Sequence, residues 1–170
     1  MVKKVHYDMH RSQIRSGDLL VWSKNRSSKF SNFLLFIIKL FTQSTYAHVG
    51  VAWKIGNRLF VIEATIPQVR IVPVSKNDEF YHIPINIQWK KEYEIFLLDK
   101  IGLSYSVFDA INAFFGKRLE KDDRWQCAEL ANEFYRSIGL DFKDAYTPCD
   151  LVESVLDLED TSIYKVHVSK

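Results

Sequence analysis

Only two cysteines occur among the 170 residues, Cys127 and Cys149. That is too few for a disulfide framework, and free thiols in a reducing compartment are the simplest reading. Glycine and proline are also sparse, six and four, and no Gly/Ser/Pro linker, internal repeat or low-complexity tract divides the chain. A single domain over residues 1–170 is expected, and a chain of this length buries roughly two thirds of its unfolded surface without staples. Neither sign of charge dominates: 23 Lys and Arg stand against 21 acids, a formal net charge of +2. No segment concentrates positive charge into a nucleic-acid footprint, so nucleic acid is not an expected partner. Long apolar runs are missing as well. The most apolar stretch, Phe33 to Phe41, is interrupted by Lys39 and runs about half the ~20 residues that a membrane-spanning helix needs. The opening MVKKVHYDMHRSQIRSGD has basic residues but no apolar core or small-residue cleavage site after them, so no secretory signal is expected. Cytoplasmic residence is the default expectation, and a phage-encoded protein would read the same way.

What is present divides near position 100, strand-like before it and helix-like after it. Asp18 to Ser23 reads as a strand following the turn signal Ser16-Gly17, and residues 28–42 as a strongly apolar helix. Ala47 to Trp53 and Leu59 to Thr65 are rich in β-branched and aromatic residues and flank Ile55-Gly56-Asn57-Arg58, which predicts an antiparallel hairpin. Val69 to Val74 and Tyr93 to Leu98 are further strand candidates, with Pro73 suiting a strand end. Ser104 to Phe115, Asp123 to Ile138 and Pro148 to Leu158 carry apolar residues three and four apart and are expected to be helices. Thr147-Pro148 supplies a cap and a proline at the first helical position, and Gly139 closes the middle helix. Ile163 to Val168 is a last strand candidate. Strands gathered before helices predict a segregated α+β fold, with an antiparallel sheet or small barrel packed against helices.

Cys127 lies in Trp125-Gln126-Cys127-Ala128-Glu129-Leu130, in the opening turn of a predicted helix. A helix start offers unpaired N–H groups and the positive end of the macrodipole, which favour a thiolate and can receive an oxyanion. Spacing leaves a second reading open. Cys127 is in register with Leu130, Ala131, Phe134 and Ile138 and suits a small buried hydrophobe equally well. A nucleophile needs a base and a group that orients the base. With a two-residue turn at Gly56-Asn57, His48 lies opposite Thr65 and Gly50 opposite Glu63, so His48 and Glu63 share a face as diagonal neighbours. A solvated polar face is the alternative for that pair, and a three-residue loop would separate them. Gly50 and Ala52 are small, and a helix N-terminus is expected to dock on their face.

These residues lie in an ordered set of motifs: SGDLL (16–20), YAHVGV (46–51), VIEA (61–64), GLSYS (102–106), QCAEL (126–130) and TPCDL (147–151). Over roughly residues 16–155 the order resembles the circularly permuted branch of the NlpC/P60 papain-like superfamily. The resemblance implies Cys127 as nucleophile, His48 as general base and Glu63 as the polar third member. It also implies Tyr105 beside the nucleophile, helping an oxyanion hole with the Cys127 N–H. Relatives often carry Ser after the cysteine, where this chain has Ala128. The implied activity is a cysteine hydrolase that forms an acyl-thioester on an amide, in a peptide or in peptidoglycan. The branch also resembles lipid acyl hydrolases and acyltransferases, and a binding module that keeps the cleft without turnover is the remaining alternative.

The segment Phe30 to Phe41 is apolar around most of its circumference and reads first as core. As a second role it would wall an acyl chain or make a peripheral membrane contact, with Lys29 and Lys39 at its margins. His6 and His10 have metal-ligand spacing if helical, but no motif surrounds them and an unstructured arm is expected. His82 and His167 have no recognisable partners. Cys149, in the first turn of the last helix, is read as structural. The two thiols lack metal-ligand spacing, so neither metal nor cofactor is expected. Oligomeric state is not legible.

Overall fold

The computed structural model describes residues 2–23, 45–77, 79–106, 125–142, 145–158 and 161–169. The apolar helix expected over 28–42, with its Phe30 to Phe41 core, lies outside them, as does most of the helix expected over Ser104 to Phe115. Among the described residues the chain forms an α+β fold of seven strands and four helices. The strands are β1 (Val2–His6), β2 (Leu19–Trp22), β3 (His48–Ile55), β4 (Arg58–Ala64), β5 (Val69–Pro73), β6 (Glu79–Ile83) and β7 (Ile163–His167). The helices are α1 (Tyr7–His10), α2 (Lys91–Leu98), α3 (Cys127–Ser137) and α4 (Pro148–Leu156).

One sheet holds all seven strands in the order β1-β7-β6-β2-β3-β4-β5. The β1/β7 pair is parallel and the others are antiparallel. The β3/β4 hairpin turns through Gly56 and Asn57 alone, pairing Ile55 with Arg58 and Val51 with Ile62. The same register, continued by one pair, sets Gly50 across from Glu63.

Alternation along the strands divides the core between two faces. Leu19, Val21, Val49, Val51, Ile62 and Ala64 pack with α3 and α4, while Leu20, Trp22, Ala52, Val61 and Phe80 form a second cluster with Tyr7 and Ile14. Leu130, Phe134 and Tyr135 of α3 are almost completely buried, each worth roughly 2 kcal/mol in apolar surface removed from water. Tyr135 also donates its hydroxyl to the Gly17 carbonyl at 3.0 Å, tying α3 to the approach of β2. The Thr147 side chain accepts the Asp150 N–H and Pro148 opens α4, while Gly139, with φ of 90°, follows the end of α3.

Four expectations are corrected. Tyr93 to Leu98 belongs to helix α2, not to a strand. Its apolar residues recur at helical spacing, so that Tyr93 and Phe96 meet Phe134 at ring distances of 6.4 and 6.2 Å, and Lys91 pairs with Glu94 one turn on. Ser104 and Tyr105 are not helical: they bridge to Gln68 and Trp125 in extended form. The N-terminal segment is not an unstructured arm, because β1 pairs with β7 over five residues. Finally, α3 does not dock on the Gly50/Ala52 face. It packs on the face of Val49 and Val51, and Ala52 joins the opposite cluster.

Gly50 serves strand approach instead. A Cβ there would lie 2.5 Å from Val61 Cγ2, 3.0 Å from the Ile62 carbonyl oxygen and 3.2 Å from Glu63 Cβ. Gly50→Ala is therefore expected to cost about 2 kcal/mol in overpacking, read as a lower urea midpoint. A parent-like midpoint would mean that β4 moves aside freely.

Candidate active site

His48 opens β3 and Cys127 opens α3, and the two side chains meet where these elements begin. The imidazole is 4% exposed and the thiol-bearing residue 6%. His48 Nε2 lies 2.9 Å from Glu63 Oε2. An ionised carboxylate only accepts, so Nε2 carries the proton and donates it. That fixes Nδ1 as the ring nitrogen left for the Cys127 thiol. The Trp22 ring, at 5.6 Å between centroids, flanks the imidazole on the neighbouring strand.

Glu63 is completely buried, which is costly for a carboxylate without partners. Its second oxygen, Oε1, accepts from Arg70 Nε at 3.0 Å and Nη2 at 2.9 Å. Arg70 stands directly across from Glu63 in the β4/β5 ladder. Sequence reasoning missed it, because pairing across Ile66-Pro67-Gln68 was not registered. Burial alone lowers the His48 pKa. Hydrogen bonding to Cys127 and Glu63, and the negative charge of both, outweigh it and lift the imidazole from 6.5 to about 9. At neutral pH it is therefore an imidazolium.

Gln126 caps α3 and forms a capping box with Glu129, whose Oε2 accepts the Gln126 N–H at 3.4 Å. The box engages the cap residue and the third helical residue. The N–H groups of Cys127 and Ala128, first and second in the helix, have no carbonyl four residues back within it. They are the donors that such a helix start holds out to an oxyanion. Tyr105 joins the approach to α3: its N–H donates to the Pro67 carbonyl, while the Trp125 N–H donates to the Ser104 carbonyl and the Ser106 N–H to the Trp125 carbonyl. Burial and the charge of Cys127 push the Tyr105 hydroxyl far up, so it keeps its proton and can donate. Cys149 lies apart in α4, its thiol 3.8 Å from the Tyr46 carbonyl oxygen, and neither cysteine is in a disulfide.

A second polar cluster lies elsewhere, and it corrects the reading of His82 and His10. His82 Nε2 is 2.8 Å from Asp18 Oδ2, and His82 Nδ1 is 2.9 Å from His10 Nε2. Asp18 also accepts the N–H groups of Arg15 at 2.7 Å and Ile85 at 3.1 Å. The remaining histidine without an expected partner, His167, pairs with Glu79 at 3.1 Å. A cavity of about 390 Å³ opens beside Asp18 and His82.

Fold and site together define an α+β protein with a buried thiol, imidazole and carboxylate in series. Its architecture is similar to the crystal structure of metalloprotein YiiX (DUF1105) from Escherichia coli O157:H7, with a TM-score of 0.54 and 21% identity. The match covers 74% of this chain and 66% of YiiX, so this chain spans slightly less than two thirds of that protein. No protein-family model and no curated protein matches the sequence. Among the described residues no group of three or more His, Cys, Asp and Glu is placed to hold a metal ion. His10, His82 and Asp18 are strung end to end and do not converge on one point. No helix among the described residues is long and apolar enough to cross a membrane.

Proposed function

We propose that this chain is a cysteine hydrolase of the permuted papain-like, NlpC/P60 type, cleaving an amide in a peptide or in peptidoglycan. The observation that carries the reading is the series Cys127, His48, Glu63, in which the carboxylate fixes one ring nitrogen and the thiol takes the other. The Cys127 sulfur attacks the carbonyl carbon as thiolate, and the oxyanion is received by the Cys127 and Ala128 N–H groups with the Tyr105 hydroxyl. The C–N bond then breaks as His48 Nδ1 gives its proton to the leaving amine. Water, deprotonated by the same nitrogen, attacks the acyl-thioester, and its collapse releases the acid and restores the thiolate.

The test is mass-spectrometric trapping of an acyl adduct after incubation with muropeptides and, separately, acyl lipids. The expected result is a peptidyl adduct on Cys127 with none on Cys149, and alkylation of Cys127 at neutral pH faster than that of Cys149. An adduct from the lipids alone would keep the thioester chemistry and replace the substrate. Equal, slow alkylation of both thiols with no adduct would make the site a binding cleft.

A further inference from the structure

We propose that Arg70 is a positioning residue for this site, clamping Glu63 so that its other oxygen holds His48 in the orientation that serves Cys127. The inference rests on the function proposed above. Its support is geometric. The completely buried carboxylate has two oxygens: Oε2 faces His48 Nε2 and Oε1 faces two nitrogens of Arg70. A glutamate side chain has three torsions, and a single contact to a ring nitrogen leaves the carboxylate free to pivot about that contact. Two N–H donors from one planar guanidinium on the opposite oxygen remove that freedom.

The placement of Arg70 supports a supporting role over a reacting one. It sits across β4 from the His48 strand, with Glu63 between, and is directly paired with Glu63 in the ladder. His48, Glu63 and Arg70 thus stand in a row on three adjacent strands, with Cys127 of α3 meeting the row at its His48 end. The side chain of Arg70 is 37% exposed while that of Glu63 is fully buried. The clamp therefore carries the buried charge out to the protein's surface, where the guanidinium stays hydrated at its far end. Among the described residues, the charged or titratable groups that bear on His48 are Cys127 from α3 and Glu63 from β4. Arg70 acts on it through Glu63, and Tyr105 lies beyond Cys127.

The experiment compares the parent with Arg70→Gln and Arg70→Lys, reading the His48 Nε2–H resonance by NMR at neutral pH alongside steady-state kinetics. In Arg70→Gln the Nε2 proton is expected to exchange with water about tenfold faster, and kcat to fall about tenfold with KM nearly unchanged, the worth of one charge-assisted hydrogen bond. Arg70→Lys keeps the charge but not the fork, and should fall between the two. Parent-like exchange in Arg70→Gln overturns the proposal, and so does a rise in KM with kcat unchanged, which would make Arg70 a substrate contact. If Arg70→Gln fails to fold, Arg70→Lys decides alone: parent-like exchange in it overturns the clamp. The resonance needs no turnover, so a parent protein inactive on every acyl substrate would remove the proposed function and leave the reading of Arg70 intact.

Discussion

Turnover of the amide substrate is expected to fall by about 10³-fold or more in Cys127→Ala and in His48→Ala, with the fold retained in both. The sulfur forms the covalent bond and the imidazole moves the proton, so neither loss is covered by a neighbour. Glu63→Gln should leave a partial rate, because the group orients and does not react. The pH profile separates these roles further. The imidazolium of His48 persists until pH rises through about 9, so the leaving amine loses its proton donor along an alkaline limb centred there. Two of the influences that raise His48 come from Glu63, its hydrogen bond and its charge. Removing the charge in Glu63→Gln must move the alkaline limb to lower pH. Full parent rate in purified Cys127→Ala would sink the mechanism. An unmoved limb in Glu63→Gln would detach the carboxylate from the imidazole.

How far the sequence carries such an argument depends on whether a partner is local. The hairpin was legible because Gly56-Asn57 admits a two-residue turn and the side-chain period of two then sets His48 and Glu63 on one face. The starts of α3 and α4 were legible in part. Thr147-Pro148 marks one plainly, whereas Gln126 with Glu129 is a weaker cap signal. Arg70 was hidden because its meaning arises only when β5 is registered against β4 across a turn with no two-residue signature. The segment Tyr93 to Leu98 misled through its aromatic and β-branched content, and its packing on Phe134 overrode that local preference. Asp18 and His82 stand 64 positions apart, and His82 and His10 stand 72 apart. No window along the chain contains two of them at a telling spacing. The sheet brings them together by setting β6 beside β2 and β7 beside β6.

That distant cluster yields the largest expected stability effect, and its sign follows from proton bookkeeping. Asp18 accepts on both oxygens, so His82 Nε2 must donate to it, and the lone pair on His82 Nδ1 then receives a proton from His10 Nε2. A second proton on His10 has to enter a buried site lined by the rings of His82 and Tyr164, at 5.1 and 4.6 Å. Burial first, and then the neighbouring His82, hold His10 down from 6.5 to about 4, against a smaller upward pull from Asp18. The unfolded chain therefore binds this proton more readily than the folded one between those values. The contribution to stability is complete above pH 6.5 and is lost progressively as pH falls to about 4. A displacement of that size is worth about 3 kcal/mol. In His10→Gln, whose amide can still donate to His82 Nδ1, this proton-linked loss disappears. Urea unfolding at fixed temperature should show the parent losing about 3 kcal/mol more than His10→Gln between pH 6.5 and 4. Parallel losses in the two proteins would show that His10 takes up its proton in the folded state as freely as in the unfolded chain.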